Sequence, residues 1–415
     1  WQQNAPSQTP IYFYQLSIKD VNNIFFRYCW IKLIHICKQV FFGKYPSKEF
    51  SIHVLNHEQL CVRIMIVKDI TEQKQKKKGV ILPFAVNNIF QIKINKSIEI
   101  VIVPNPGEKN AHQDNVGIIL EENKILNILL KRYKNVLITV INTKKDLIKL
   151  AKRKPDLVFS GVKYFNFNGE KIWLNDYLET NHIPYIASSK KALDNESDKS
   201  KAKKLVRKAK IKTADFFITT PGEHKNASSI PIPFPLFIKP VKGGDSRGID
   251  KNSIVLTFSS FKKKVLDIKK KYGLSSLVET YLSGREYSVG IFQDSVNGKL
   301  KAMPVEIIIK ENSNGHCILD FDVKKDDEEK VVAVTDVKNF NRLSKLAKDS
   351  FKALGGKSLG RIDIKMNHLG IPHFMEANLM PGLRKGYFYR SCVLNLDMNY
   401  EDMIFSIANT GLSSH

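Results

Sequence analysis

The chain is 415 residues long, 43% hydrophobic and 26% charged, and its 66 Lys and Arg against 41 Asp and Glu give a formal net charge of +25. That is enough apolar material for two or three cored domains, and it excludes intrinsic disorder, a collagen repeat and a disulfide miniprotein. The most apolar early stretch, 23–45, is broken by Arg27, Lys32, His35 and Lys38, so no membrane-spanning helix is expected. The opening residues are polar and lack the charged and apolar regions of a secretory signal, which points to the cytoplasm. Five cysteines (Cys29, Cys37, Cys61, Cys317, Cys392), nowhere spaced CxxC, read as reduced, packed thiols. The positive charge raises nucleic-acid binding, but 55 Lys and only 11 Arg carry it, dispersed along the chain. Its densest run, 199–212, fits a helix with Leu205, Ala209 and Ile211 inward and its lysines solvated, so a nucleic-acid role is the weaker reading.

Residues 1–97 hold apolar stretches at 24–40 and 59–67 and a basic run at 74–78, but no chemical motif. From Ile98 the pattern sharpens. A β-branched run at 98–103 ends in Pro104-Asn105-Pro106-Gly107, as a buried strand followed by a loop does. A helix over 116–133 follows, then a strand at 136–141, a helix at 145–152, a strand at 156–160, a helix at 172–181 and the short Pro184-Tyr185-Ile186. Alternating strand and helix predicts a parallel, doubly wound α/β layer. After a helix at 198–210 the strands arrive in pairs, at 236–240, 277–282, 287–292 and 303–309, which predicts antiparallel α+β structure. A charged loop at 320–330 and a helix at 341–354, stopped by Gly355-Gly356, lead into a hairpin.

The hairpin runs from Arg361 to Met366, turns at Asn367-His368-Leu369-Gly370, and returns from Ile371 to Asn378. A two-residue loop at His368-Leu369 would oppose Arg361 to Glu376 and Asp363 to Phe374. Alternation then projects Arg361, Asp363, Glu376 and Asn378 from one face, with Ile362, Ile364, Met375 and Ala377 on the other. Two carboxylates and an amide oxygen are hard ligands of the kind Mg²⁺ takes when it also binds phosphates, and Arg361 beside them suits a phosphate oxygen. A solvated strand face with a cross-strand ion pair fits the hairpin alone equally well. Other segments favour the site: Ile238-Lys239-Pro240 runs into Gly243-Gly244-Asp245-Ser246-Arg247-Gly248, a loop whose N–H groups could close over phosphates. Glu279-Thr280-Tyr281-Leu282 could read a base edge, and Glu286 a ribose. Gly356-Lys357-Ser358 is no P-loop, because Phe351 stands where the first glycine belongs and a helix precedes it. HExxH, GxSxG and GxGxxG motifs are absent.

In this order and at these intervals, the parts resemble the ATP-grasp superfamily and, within it, the D-alanine-D-alanine ligase family, over residues 98–410. The pieces that carry the resemblance are Pro184 to Ser188, Asp198-Lys199 with Lys203, Ile238-Lys239-Pro240 with its glycine loop, Val278-Glu279, Gly284-Arg285-Glu286, Arg361-Ile362-Asp363, and Glu376 to Leu383. The resemblance implies an extension at 1–97, a pre-ATP-grasp α/β domain at 98–194, a central lid at 195–283 and a C-terminal domain with the metal site at 284–415. It implies ATP and Mg²⁺, two ions with Mn²⁺ as a substitute, held by Asp363, Glu376 and Asn378. ATP contacts would come from Lys199, Lys239, Gly243, Gly244, Ser246, Glu279, Thr280, Tyr281, Leu282, Glu286 and Met375. Arg361, Ser246 and Lys324 of the closing flap would serve catalysis. Amino acids are the implied substrates, cell-wall precursor synthesis the implied role, and a homodimer is compatible with it. The substrate positions depart from the family pattern: its loop serine falls at Asp245, its flap tyrosine at Lys325, and the serine nine residues after the metal-binding Asn at Tyr387, with Gly382 between. These departures keep a ligase of other specificity open, and a vestigial site in a basic nucleic-acid-associated protein is the alternative of another class.

Overall fold

The structure, a computed structural model, describes the backbone of residues 50–54 and 62–66, and residues 93–104, 117–118, 120–244, 246–310 and 329–413 in full. The chain divides into two compact units, Trp1–Gln91 and Ile92–His415. In the first, β1 (Phe50–Val54) and β2 (Val62–Ile66) pair antiparallel.

The second unit opens with β3 (Ile94–Ile102), α1 (Glu122–Arg132), β4 (Tyr133–Val140), α2 (Lys144–Arg153) and β5 (Leu157–Ser160). The three strands form a parallel sheet in the order β4-β3-β5, with Ile98, Ile100 and Val101 buried at its centre. This is the expected parallel layer. A hairpin, β6 (Tyr164–Phe167) and β7 (Glu170–Trp173), precedes α3 (Leu174–Thr180). The helix expected from 172 starts two residues later because Ile172 and Trp173 pair across to Phe165 and Tyr164. Helix α4 (Lys190–Ser197) leads to α5 (Lys199–Lys208), whose cap is Asp198: its carboxylate accepts the N–H groups of Ser200 and Lys201 at 2.9 and 3.1 Å. The inward face of α5 differs from expectation. Ala202, Lys203 and Val206 are buried, whereas Ala209 is exposed and Lys203 is not solvated.

Two antiparallel sheets follow. The first, called the lid sheet after the expected lid segment, has the order β10-β9-β11-β8, from β8 (Phe216–Thr219), β9 (Leu236–Pro240), β10 (Ile254–Val255) and β11 (Ser276–Thr280), with α6 (Phe258–Tyr272) packed on it. Ile230, Leu236, Ile238, Val255, Phe261, Val265, Ile268 and Val278 form its own core. The second sheet has the order β14-β13-β12-β15-β16, from β12 (Glu286–Gln293), β13 (Leu300–Ile308), β14 (Lys330–Ala333), β15 (Leu359–Met366) and β16 (Pro372–Asn378). Helix α7 (Val337–Ala353) starts four residues before its expected position because the Asp336 side chain caps it, accepting the Asn339 N–H at 2.8 Å. It seals one face of this sheet with Leu343, Ala347 and Phe351. The chain ends in α8 (Tyr387–Leu396), packed on β12 and β13, and α9 (Tyr400–Ser413). Cys392 on α8 is a buried free thiol. No helix among the described residues is long and apolar enough to cross a membrane.

Candidate active site

Alternation along β15 sends Ile362 and Ile364 into the core and Arg361, Asp363 and Lys365 to the other face. The hairpin register differs from the expected one in two places. The Asn367 N–H donates to the Ile371 carbonyl and the Gly370 N–H to the Asn367 carbonyl, both at 3.0 Å, with Gly370 at φ +68°. The loop is therefore three residues with glycine in the left-handed position. A bulge at Met375 shifts the pairing again. The two slips restore the face and move the partners: Asp363 opposes Glu376, Arg361 opposes Asn378, and Phe374 opposes Ile364 and is buried. Met375, expected on the apolar face by alternation, lines the cleft beside Glu376.

Arg361 grips Asp363 with both ends of its guanidinium, Nε to Oδ1 at 3.0 Å and a terminal nitrogen to Oδ2 at 2.9 Å, while Ser288 Oγ donates to Oδ1 at 2.8 Å. Burial works against the charge on Arg361, but the attraction and hydrogen bonds of Asp363 outweigh it and raise its pKa above the ordinary guanidinium value. Of the four or so acceptor positions of the Asp363 carboxylate, one remains, on Oδ2. Among the described residues no three His, Cys, Asp or Glu cluster as a metal site. A divalent cation would instead be held by the open position of Asp363, by Glu376 directly across from it and by the Asn378 amide, and these hard oxygens suit Mg²⁺.

The opposite wall comes from the lid. Glu279 on β11 accepts Lys203 at 2.5 Å and Lys239 at 2.8 Å, all three side chains at most 6% exposed. Burial pushes Glu279 up, yet the two lysines outweigh it and hold the carboxyl below the usual range. Burial lowers Lys203 against the pull of Glu279, whereas Lys239, which also faces Glu376, ends above its ordinary value despite burial. Two ammonium groups on one buried carboxylate leave a positive surplus, which suits an anionic ligand such as a polyphosphate. The glycine loop joins this wall: Ser246 is buried at φ +55°, and Lys199 donates to the Gly243 carbonyl. Burial lowers Lys199 as well.

One cleft brings together Lys239, Ser246, Glu279, Thr280, Tyr281, Leu282, Glu286, Asp363, Met375, Glu376 and Tyr387. Lys199, Gly243, Gly244, Arg361, Asn378 and Gly382 do not line it. Arg361 reaches it through Asp363, and Gly382 is exposed. Asp245, Lys324 and Lys325 lie outside the described residues. Two further lining cations, Lys203 and Lys365, were assigned no role from sequence, although both signals were present. Lys203 stands four residues after Lys199 on one helix, and Lys365 two after Asp363 on one strand. At the far end the Tyr387 hydroxyl donates to Glu329 Oε1 at 2.7 Å and its ring lies 5.6 Å from the Arg361 guanidinium. Burial and then Glu329 raise the Tyr387 pKa.

A cleft between two antiparallel sheets, one bearing buried lysines and a glycine loop and the other an Arg-Asp-Glu-Asn face, belongs to the ATP-grasp ligase class of enzymes. Residues 205–409 match the family described as D-ala D-ala ligase C-terminus. A D-alanine-D-alanine ligase of Bacillus anthracis is 27% identical over 311 residues, 73% of this chain and 94% of the relative. The crystal structure of a Bacillus anthracis D-alanine-D-alanine ligase complexed with ATP superimposes with a TM-score of 0.55 at 21% identity, covering 76% of this chain and 97% of that one. The VanG D-Ala:D-Ser ligase of Enterococcus faecalis gives 0.54 at 18% identity, covering 77% and 100%. Both structural likenesses speak for the fold.

Proposed function

We propose that this ATP-dependent ligase joins two amino acids, D-alanine to D-alanine, in the cytoplasm to supply peptidoglycan precursors. The observation that carries the reading is the polar face of β15 and β16, whose Asp363 and Glu376, flanked by Arg361 and Asn378, line the same cleft as the Lys203-Glu279-Lys239 wall. The carboxylate oxygen of the first substrate attacks the γ-phosphorus of ATP, the bond to the β-phosphate oxygen breaks, and ADP leaves. The amine of the second substrate then attacks the acyl carbon, forms the C–N bond, loses a proton and displaces inorganic phosphate. Arg361 neutralises charge spreading over the phosphoryl oxygens, and Lys199, Lys203 and Lys239 hold the other phosphates with the N–H groups of Gly243, Gly244 and Ser246. The segment Glu279 to Leu282 and Met375 take the base, and Glu286 the ribose. Mg²⁺ bound by Asp363, Glu376 and Asn378 would supply further positive charge to the phosphates. Lys324, beside Lys325 in the flap, would reach phosphate as the flap closes and excludes water from the acyl phosphate.

A specific observation favours a second reading, a ligase whose acceptor amino acid differs from D-alanine. Where the family places a serine, Tyr387 fills the cleft end and spends its hydroxyl on Glu329. Mg²⁺-dependent phosphate release from ATP over a panel of D- and L-amino acids, singly and in pairs, tests both. Release with D-alanine alone supports the first reading, release only with another pair supports the second, and no release with any pair removes both.

A further inference from the structure

Lys365 is not explained by phosphate binding or metal binding. It lies four residues, about 13 Å of strand, from Arg361, at the end of the cleft lined by Thr280, Tyr281 and Leu282. Its registered neighbour on β12 is Glu286. The two side chains meet at 2.9 Å with 11% and 9% of their surfaces exposed. Backbone contacts hold this pair in place: the Gly284 N–H donates to the Met366 carbonyl at 2.9 Å and the Met366 N–H to the Arg285 carbonyl at 2.8 Å. A side chain at 284 would put its Cβ 2.6 Å from the Asn367 carbonyl oxygen, so the close approach of the two strand ends requires glycine.

We infer that Lys365 is the built-in counter-ion of Glu286 and that it lets the nucleotide site accept 2′-deoxyribonucleoside as well as ribonucleoside triphosphates. The inference rests on the reading of Glu286 as the ribose acceptor. A buried carboxylate that depends on a substrate hydroxyl for its hydrogen bond rejects the analogue without it, because the acid is then stranded without a partner. Glu286 has a charged partner on Oε2 before any ligand arrives. A missing 2′-hydroxyl then costs one added hydrogen bond and strands nothing. Lys365 acts through Glu286 and is a positioning residue that sets sugar selectivity, remote from the phosphoryl group that moves.

Calorimetric dissociation constants for ATP and 2′-deoxyATP with Mg²⁺ test this on the full chain without turnover. The wild type is expected to bind the two within about tenfold of each other, the scale of one ordinary hydrogen bond, because the Glu286 charge is already neutralised by Lys365. In K365M the ratio is expected to widen by on the order of tenfold or more, through weaker 2′-deoxyATP binding with ATP little changed, while K365R keeps the wild-type ratio. A lysine that only packs the sheet would weaken both nucleotides alike. A wild-type ratio above tenfold, or an unchanged ratio in folded K365M, overturns the inference with ATP binding intact, and the wild-type ratio decides alone if K365M does not fold. Failure of the wild type to bind ATP at all would remove the proposed function, and this inference with it.

Discussion

Replacing Glu279 with Gln takes one negative charge from between two buried ammonium groups and changes the volume hardly at all. At 2.5 and 2.8 Å and an effective dielectric of about 20, each lysine draws about 6 kcal/mol of gross attraction from that carboxylate. Desolvation of the three ions offsets most of this gain. The amide recovers the carboxylate's share of desolvation but leaves Lys203 and Lys239, with 1% and 2% of their side chains exposed, repelling each other with no carboxylate between them. A net loss of about 3–5 kcal/mol is expected, read as a lower urea midpoint at unchanged slope in circular dichroism at pH 7 without nucleotide. The pH dependence carries a sign. With the carboxylate gone, Lys203, which burial already holds below its ordinary value, is pushed lower still, so at this group the unfolded chain binds more protons and stability rises with pH. The deficit of E279Q should therefore shrink as pH climbs toward the ordinary lysine value of 10.5. A deficit under about 1 kcal/mol at pH 7, or one that grows on the alkaline side, refutes the reasoning.

Arg361→Ala should cut phosphate release by about 10²–10³-fold or more while the circular dichroism spectrum is kept, since the side chain sits on the polar face and not in the core; unchanged turnover would sink the hairpin assignment. Glu376→Gln should abolish turnover at ordinary Mg²⁺ and leave the fold intact, checked by a Mg²⁺ titration of phosphate release. Gly290→Ala should destabilise by about 1–3 kcal/mol in the same urea experiment, because a Cβ there would lie 2.9 Å from both Met303 Cε and Ser391 Cβ and press on α8. Burial pushes the Cys392 thiol up to about 12, so peptide-resolved alkylation at pH 8 should find it unreactive until urea unfolds the chain.

The polar face of the β15-β16 hairpin was legible because strand alternation depends only on parity, and two one-residue slips cancel in parity. The partners were not legible: the left-handed Gly370 and the Met375 bulge are properties of a local loop and a sheet edge that residue types alone do not distinguish from a two-residue turn. The burial of Lys203 was not legible for a different reason. A lysine on an amphipathic helix ordinarily marks the wet side, and it is Glu279, 76 positions away on β11, together with the Thr213 hydroxyl, that makes its burial tolerable. Lys365 obeyed the same alternation as Arg361 and Asp363, yet its meaning depends on Glu286 across the strand gap. The doubly wound layer was readable from its buried β-branched runs, whereas Ile172 and Trp173, apolar enough to begin a helix, were claimed by a short hairpin.

The lid sheet shares no strand with the five-stranded sheet and is sealed by a core of eight buried apolar residues. A unit so lightly cored should open by itself more often than the molecule unfolds, exposing its amides to exchange and its loops to proteases. A ligand gripped between the two sheets opposes that opening by RT ln(1 + [L]/Kd), about 2.7 kcal/mol at a hundredfold excess over Kd. Amide protection in β9 and β11 thus becomes a gauge of occupancy that requires no chemistry. It would rank candidate substrate pairs by how firmly they clamp the lid, including pairs that the enzyme holds but never joins.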